Sequence, residues 1–122
     1  MRMNSTAHLG RLTKRSEFLR VARGRIRVVM PSLIVQAFHK KSDTSEAVTR
    51  LGFTASRKVG NAVARNRARR RLKAVAHDVF SEQLGNFCVY VLIARSATIS
   101  RSYDELLNDL RSALSRLERR GR

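Results

Sequence analysis

Two periods alternate along this chain. From Ala68, apolar residues recur at Leu72, Val75 and Val79, steps of four, three and four that fall on one stripe of a 3.6-residue helix. Gly60-Asn61 ahead of them supplies a turn and an N-cap, which predicts a helix over residues 61–84. Near the end, Leu107, Leu110, Leu114 and Leu117 repeat the helical spacing behind Ser102-x-x-Glu105, a capping box. A shorter helix, Glu17 to Arg23, is expected after Ser16 and before Gly24, with Phe18, Val21 and Ala22 turned inward.

The remaining runs read as strands. Arg25 to Met30 carries the β-branched Ile26, Val28 and Val29 and stops at Pro31, which cannot donate to a ladder. Leu33 to Phe38 follows directly, and the polar segment from Lys40 to Thr49 closes a hairpin-like arrangement. In Arg50 to Ser56, Leu51, Phe53 and Ala55 alternate with Gly52, Thr54 and Ser56, the period of a half-buried strand with a small, polar second face. Gly85-Asn86 marks a turn, and Cys88 to Ala94 is apolar on both faces, hence central. The order α-β-β-β-α-β-α gives an α+β sandwich, a roughly four-stranded sheet with three helices against it. No linker or internal repeat divides residues 1–122, so a single domain is expected, with a loose tail over Met1 to Gly10 and a frayed end over Arg119 to Arg122.

Charge turns this scaffold toward a partner. Eight of the eighteen residues from Ser56 to Lys73 are Arg or Lys, and no carboxylate occurs between Glu46 and Asp78. A run of this density is ordinarily solvated or disordered. Here the apolar stripe threads through it, so it folds as an amphipathic helix whose outer face is guanidinium. Arg presents a planar fork that bonds phosphate oxygens in pairs. With no acidic neighbour, those forks call for an external polyanion. The whole chain agrees: 26 Lys and Arg against nine acids give a formal charge of +17. Nucleic acid is the expected partner. A ribosomal or other structural RNA-binding protein shares this charge and fold class. A helix-turn-helix DNA binder fits poorly, because the basic helix leads into a strand rather than a short turn and a second helix.

The sequence offers no catalytic residue of its own. His8, His39 and His77 stand apart from any nucleophile or carboxylate at motif spacing, and Asp78 and Glu82 are the one acid pair on the long helix, read as solvated or neutralising nearby arginines. Asp104, Glu105 and Asp109 read as dipole-offsetting residues of the last helix. There is no phosphate-binding glycine loop and no metal-ligand cluster. Cys88 is the single cysteine and reads as a small buried thiol, without a disulfide framework or zinc site. The longest apolar run has seven residues, far short of a membrane span, and no signal-peptide pattern precedes it, so a cytoplasmic protein is expected.

The stretch Arg57-Lys58-Val59-Gly60-Asn61-Ala62-Val63-Ala64-Arg65-Asn66-Arg67, with Leu51-Gly52-Phe53 before it and the Arg-rich helix after it, resembles the protein component of bacterial ribonuclease P. The resemblance runs from Arg11-Leu12 and Glu17-Phe18 to about Leu117, and its most specific part is Arg-Asn-Arg at residues 65–67 in a strand–turn–helix setting. It implies a non-catalytic protein subunit of the holoenzyme that binds the catalytic RNA. That RNA, using magnesium, hydrolyses the phosphodiester that releases the 5′ leader of precursor tRNA. It also implies a left-handed β-α-β crossover around the basic helix, which no feature of the sequence would suggest.

Carried over residue by residue, the resemblance makes Arg65, Asn66, Arg67, Arg69, Arg70 and Lys73 the RNA-subunit contacts. Phe18, Gln36 and Phe38 would floor a cleft for the single-stranded leader. Ser56, Arg57, Lys58 and Asn61 would hold phosphates at the strand-to-helix turn. One position departs from the family pattern: a second aromatic often follows Phe18 by a turn, and here Ala22 stands there. A weaker leader stack is expected, since base–aromatic stacking is worth roughly 1–3 kcal/mol per base.

Overall fold

The structure is a computed structural model that describes residues 9–11, 26–40, 49–82 and 87–120. The expected first helix, with Phe18 and Ala22, lies outside the described residues, as do residues 1–8, 41–48, 83–86 and 121–122. The strands are β1 (Leu9–Arg11), β2 (Ile26–Val29), β3 (Leu33–Lys40), β4 (Thr49–Thr54) and β5 (Phe87–Ala94). The helices are α1 (Ala62–Glu82), α2 (Ala97–Ser100) and α3 (Tyr103–Arg120). The sheet runs β1-β4-β5-β3-β2. β5 is central as expected, antiparallel to β3 (Val35 opposite Leu92) and parallel to β4 (Leu51 beside Tyr90). β4, α1 and β5 therefore form a β-α-β unit between adjacent parallel strands.

Two assignments shift at the ends of the chain. Leu9 and Gly10, expected in the tail, sit in β1, which pairs parallel with β4. Three residues are too few to show a period, and their extended form comes from β4's free edge. Arg119 and Arg120, expected to fray, continue α3.

Both long helices cover one face of the sheet, α1 over β4 and β5, α3 over β3 and β2, and they pack on each other. The α1 stripe is buried as its spacing predicts, widened by Ala76 and Phe80. Phe80 stacks tilted on the fully buried Tyr90 of β5, ring centroids 5.2 Å apart. Cys88, expected buried, is only half-buried. The buried stripe of α3 is rotated from expectation: Leu106, Asp109, Leu110, Ala113, Leu114 and Leu117 face in, while Leu107 is half-buried.

Asp109, read from the sequence as a dipole-offsetting residue, is instead buried and goes with the rotation. Its Oδ2 accepts from the Ser32 amide at 3.2 Å and the Ser32 hydroxyl at 2.6 Å, and lies 3.3 Å from Arg101 Nε in an ion pair. A buried carboxylate is tolerated only with such partners. Through it the start of α3 holds the turn between β2 and β3. The capping box at Ser102 and Glu105 forms in both directions, at 3.1 and 3.2 Å. Donation from the Ser102 backbone, then the nearby Arg101 charge, holds the Glu105 carboxyl below its usual range.

The two acids of α1 also point to α3. Asp78 accepts from the Tyr103 hydroxyl at 2.6 Å, and Glu82 takes both carboxylate contacts of Arg111, at 3.0 and 3.1 Å. The first turn of α1 carries no acid and its last turn no base.

Candidate nucleic-acid interface

The site begins where β4 hands over to α1. Val59 donates to the Ser56 carbonyl at 3.0 Å and Gly60 to that of Arg57 at 3.1 Å, winding Ser56 to Gly60 into a tight turn. Gly60 has φ +147°, and a Cβ there would meet Ala64 Cβ at 2.8 Å, so the turn needs glycine. Asn61 then caps the helix, its Oδ1 accepting from the Ala64 amide at 2.9 Å. The amide NH2 of Asn61 is the group that could donate to a phosphate. Ser56, Arg57 and Lys58 are exposed on the turn.

Along α1 the predicted residues divide into three groups. Asn66, Arg67, Arg70 and Lys73 are exposed and lie away from the buried stripe. Arg69 is half-buried and donates to Asn66 Oδ1. Arg65 turns back, its guanidinium donating to the Gly60 carbonyl at 2.9 Å. Residues two apart on a helix point about 160° away from each other. Arg65 and Arg67 therefore do not share a face: one braces the turn and the other projects outward. Arg71 follows neither pattern. Its Nε donates to the Thr98 carbonyl at 2.9 Å and its Nη2 to that of Arg101 at 2.5 Å, tying α1 to the segment that leads into α3. Among the described residues, no basic side chain from Arg57 to Lys73 has a carboxylate partner.

The face of the sheet away from α1 and α3 carries Ile34, Gln36 and Phe38 of β3 beside Val89, Val91 and Ile93 of β5 and Arg50, Gly52 and Thr54 of β4. Phe38, Val89 and Ile93 pack around Val91, which is 3% exposed. Gln36 is itself buried, so little of it is accessible, while Phe38 is half-buried. At the end of this face opens a groove of about 350 Å³, lined by Ile34, Ser56, Lys58, Val59, Ile93, Ala94, Arg95 and Ser96. It joins the Ser56 and Lys58 turn to the sheet; Gln36 and Phe38 lie roughly 7 and 14 Å farther along β3. Arg57 and Asn61 do not line it.

Sequence reasoning missed Arg95 and Ser96. An isolated arginine after an apolar strand carries no charge-run signal. It is β5 ending beside the β4 turn that brings it in, with one guanidinium N–H bound to the Met30 carbonyl at 2.8 Å. Among the described residues, no three His, Cys, Asp or Glu are grouped to hold a metal ion, and no helix is long and apolar enough to cross a membrane.

The sequence profile of the family described as Ribonuclease P matches residues 7–118. The chain belongs to the ribonuclease P protein family. It is 50% identical over 107 residues to the ribonuclease P protein component of Ruegeria pomeroyi, covering 87% of this chain and 84% of that one. To the ribonuclease P protein component of Gluconacetobacter diazotrophicus it is 46% identical over 120 residues, covering 98% of each chain. The fold is shared with the RNase P protein of Thermotoga maritima, at a TM-score of 0.71 and 22% identity over 88% of this chain and 97% of that one. Membership places the chain among the protein subunits of ribonuclease P, the machinery of tRNA 5′ processing.

Proposed function

We propose that the exposed face of α1 binds the catalytic RNA of ribonuclease P and that the open sheet face, ending in the Ser56–Lys58 groove, receives the single-stranded 5′ leader of precursor tRNA. One observation carries this reading: Arg67, Arg70 and Lys73 stand exposed on a helix fixed by its buried stripe, with no carboxylate partner among the described residues. Cations held rigidly and unpaired are suited to RNA phosphates, and each contact releases counterion. The leader groove needs no base-edge code: a basic rim and an apolar floor with Phe38 beyond it fit a strand of any sequence.

In this reading the chemistry belongs to the RNA. Water attacks the phosphorus at the leader junction, the bond to the leader's 3′ oxygen breaks, and the tRNA keeps the 5′ phosphate. The acid pair of α1 does not fit a magnesium site on the protein, because Asp78 is bound by Tyr103 and Glu82 by Arg111. The magnesium is held by the RNA, and the protein's cations reduce the repulsion that the metal must otherwise screen.

The test is cleavage of a precursor tRNA at low magnesium by the catalytic RNA, with the protein added or withheld. Wild-type protein lowers the magnesium requirement, and Arg67→Ala/Arg70→Ala does not. Lys58→Ala raises KM for leader-bearing precursor more than it weakens binding of mature tRNA. An unchanged magnesium requirement on adding wild-type protein refutes the reading.

A further inference from the structure

A second cationic surface lies at the other side of the molecule. Arg116, Arg119 and Arg120 line an open depression of about 390 Å³ at the end of α3. Spacings of three and four put all three on one side of the helix. Arg120 reaches the neighbouring edge strand, donating to the Arg27 carbonyl at 2.5 Å. Arg27, whose side chain springs from the opposite face of the sheet beside Gln36, is also exposed, so the cluster wraps the β2 edge.

Two ordinary explanations fall short. Basic residues in a last turn offset the helix dipole, which accounts for Arg119 and Arg120 but not for Arg116, a turn earlier, or Arg27 on a strand. Ion pairing does not account for it among the described residues either. Glu118 is the one carboxylate between residues 110 and 120, it points about 160° from Arg116, and it forms no ion pair among the described residues. Like charges three and four apart on a helix repel, so the cluster is kept against a local penalty.

We infer that Arg27, Arg116, Arg119 and Arg120 form a second RNA-backbone surface, separate from α1. This rests on the proposed RNA-binding role and extends it. β4, under α1, and β2 are three strands apart, roughly 14 Å at the usual spacing. The two surfaces therefore hold different stretches of phosphodiester, and their contributions to binding add. The ligand is a phosphodiester backbone supplied by the catalytic RNA or by the body of the precursor tRNA.

The experiment uses the full chain with Arg116→Gln/Arg119→Gln, leaving Arg120 to hold the β2 edge, and compares Arg116→Lys/Arg119→Lys, Arg67→Ala/Arg70→Ala and wild type. Affinity for the catalytic RNA is titrated against monovalent salt, KM for precursor tRNA is measured in the assembled holoenzyme, and each variant is melted. Two lost phosphate contacts lower the slope of log affinity against log salt by roughly 1.4–1.8, and affinity falls about tenfold or more. A loss against the catalytic RNA assigns the surface to it; a loss confined to precursor KM assigns it to the substrate. The Lys variant keeps most of the effect. An unchanged slope with unchanged KM overturns the inference, as does a loss that only follows a lower melting temperature. Arg67→Ala/Arg70→Ala separates the two ideas: if that variant also binds normally, the role of α1 falls rather than that of the α3 surface alone.

Discussion

The Tyr103 hydroxyl donates to Asp78 Oδ2 at 2.6 Å, joining the first residue of α3 to the C-terminal part of the basic helix. Burial first, then the hydrogen bond and negative charge of Asp78, push the phenol up to about 12. Raised above the value near 10 of an unfolded tyrosine, the group favours the fold while it remains protonated. Its contribution is complete below pH 10 and disappears as pH climbs toward 12. Urea unfolding of wild type and Tyr103→Phe should differ at pH 9 and converge by pH 12. A gap that stays constant over that interval would show that the hydroxyl is not what links the helices.

Asp109 should be the carboxylate whose loss is felt most. In Asp109→Ala, the buried Ser32 hydroxyl and the inner Arg101 nitrogen lose their partner together. Removing one member of a buried pair costs about 3–5 kcal/mol. Arg101 keeps a side-chain exposure of 30%, so water compensates part of this and about 2–3 kcal/mol is expected. Chemical denaturation measures it directly. A cost under about 0.5 kcal/mol, ordinary for a surface change, would contradict the buried role.

Arg71 and Arg67 are four residues apart on one helix and should behave oppositely. Arg71→Ala frees the carbonyls of Thr98 and Arg101 and loosens α1 from α3, costing about 1–3 kcal/mol. It should leave the salt slope of RNA binding nearly unchanged. Arg67→Ala should leave the melting temperature nearly unchanged and lower that slope by about 0.7–0.9. Parallel melting curves and salt titrations of the two variants check the pair, and matching behaviour would mean that exposure does not distinguish their roles.

The sequence made some of this plain and concealed the rest for identifiable reasons. The Ala68–Val79 stripe and the Ser102–Glu105 box are local: neighbours within four residues determine them, so spacing alone reveals them. β4 and β5 were visible because alternation and continuous apolarity report how many faces a strand buries. Asp109 was hidden because its burial depends on Ser32, 77 residues away in sequence. Arg71 was hidden among like residues, since only the arrival of the 98–101 segment makes it structural. The membership of Arg95 and Ser96 in the groove arises from where β5 stops beside the β4 turn, a matter of topology that no periodicity records.

The charges of α1 run against its own dipole. Arg65 sits in the first turn, where the free N–H groups already make the end positive, and Glu82 in the last, where free carbonyls make it negative. At the far end Arg111 answers Glu82. At the near end, among the described residues, only the Gly60 carbonyl answers Arg65, so one terminus is electrostatically complete and the other is not. A phosphate at that end would supply the missing countercharge, and what binds the folded chain alone also stabilises it. On the proposed reading, assembly with RNA finishes the helix as well as the holoenzyme: part of this subunit's folding free energy resides in its partner.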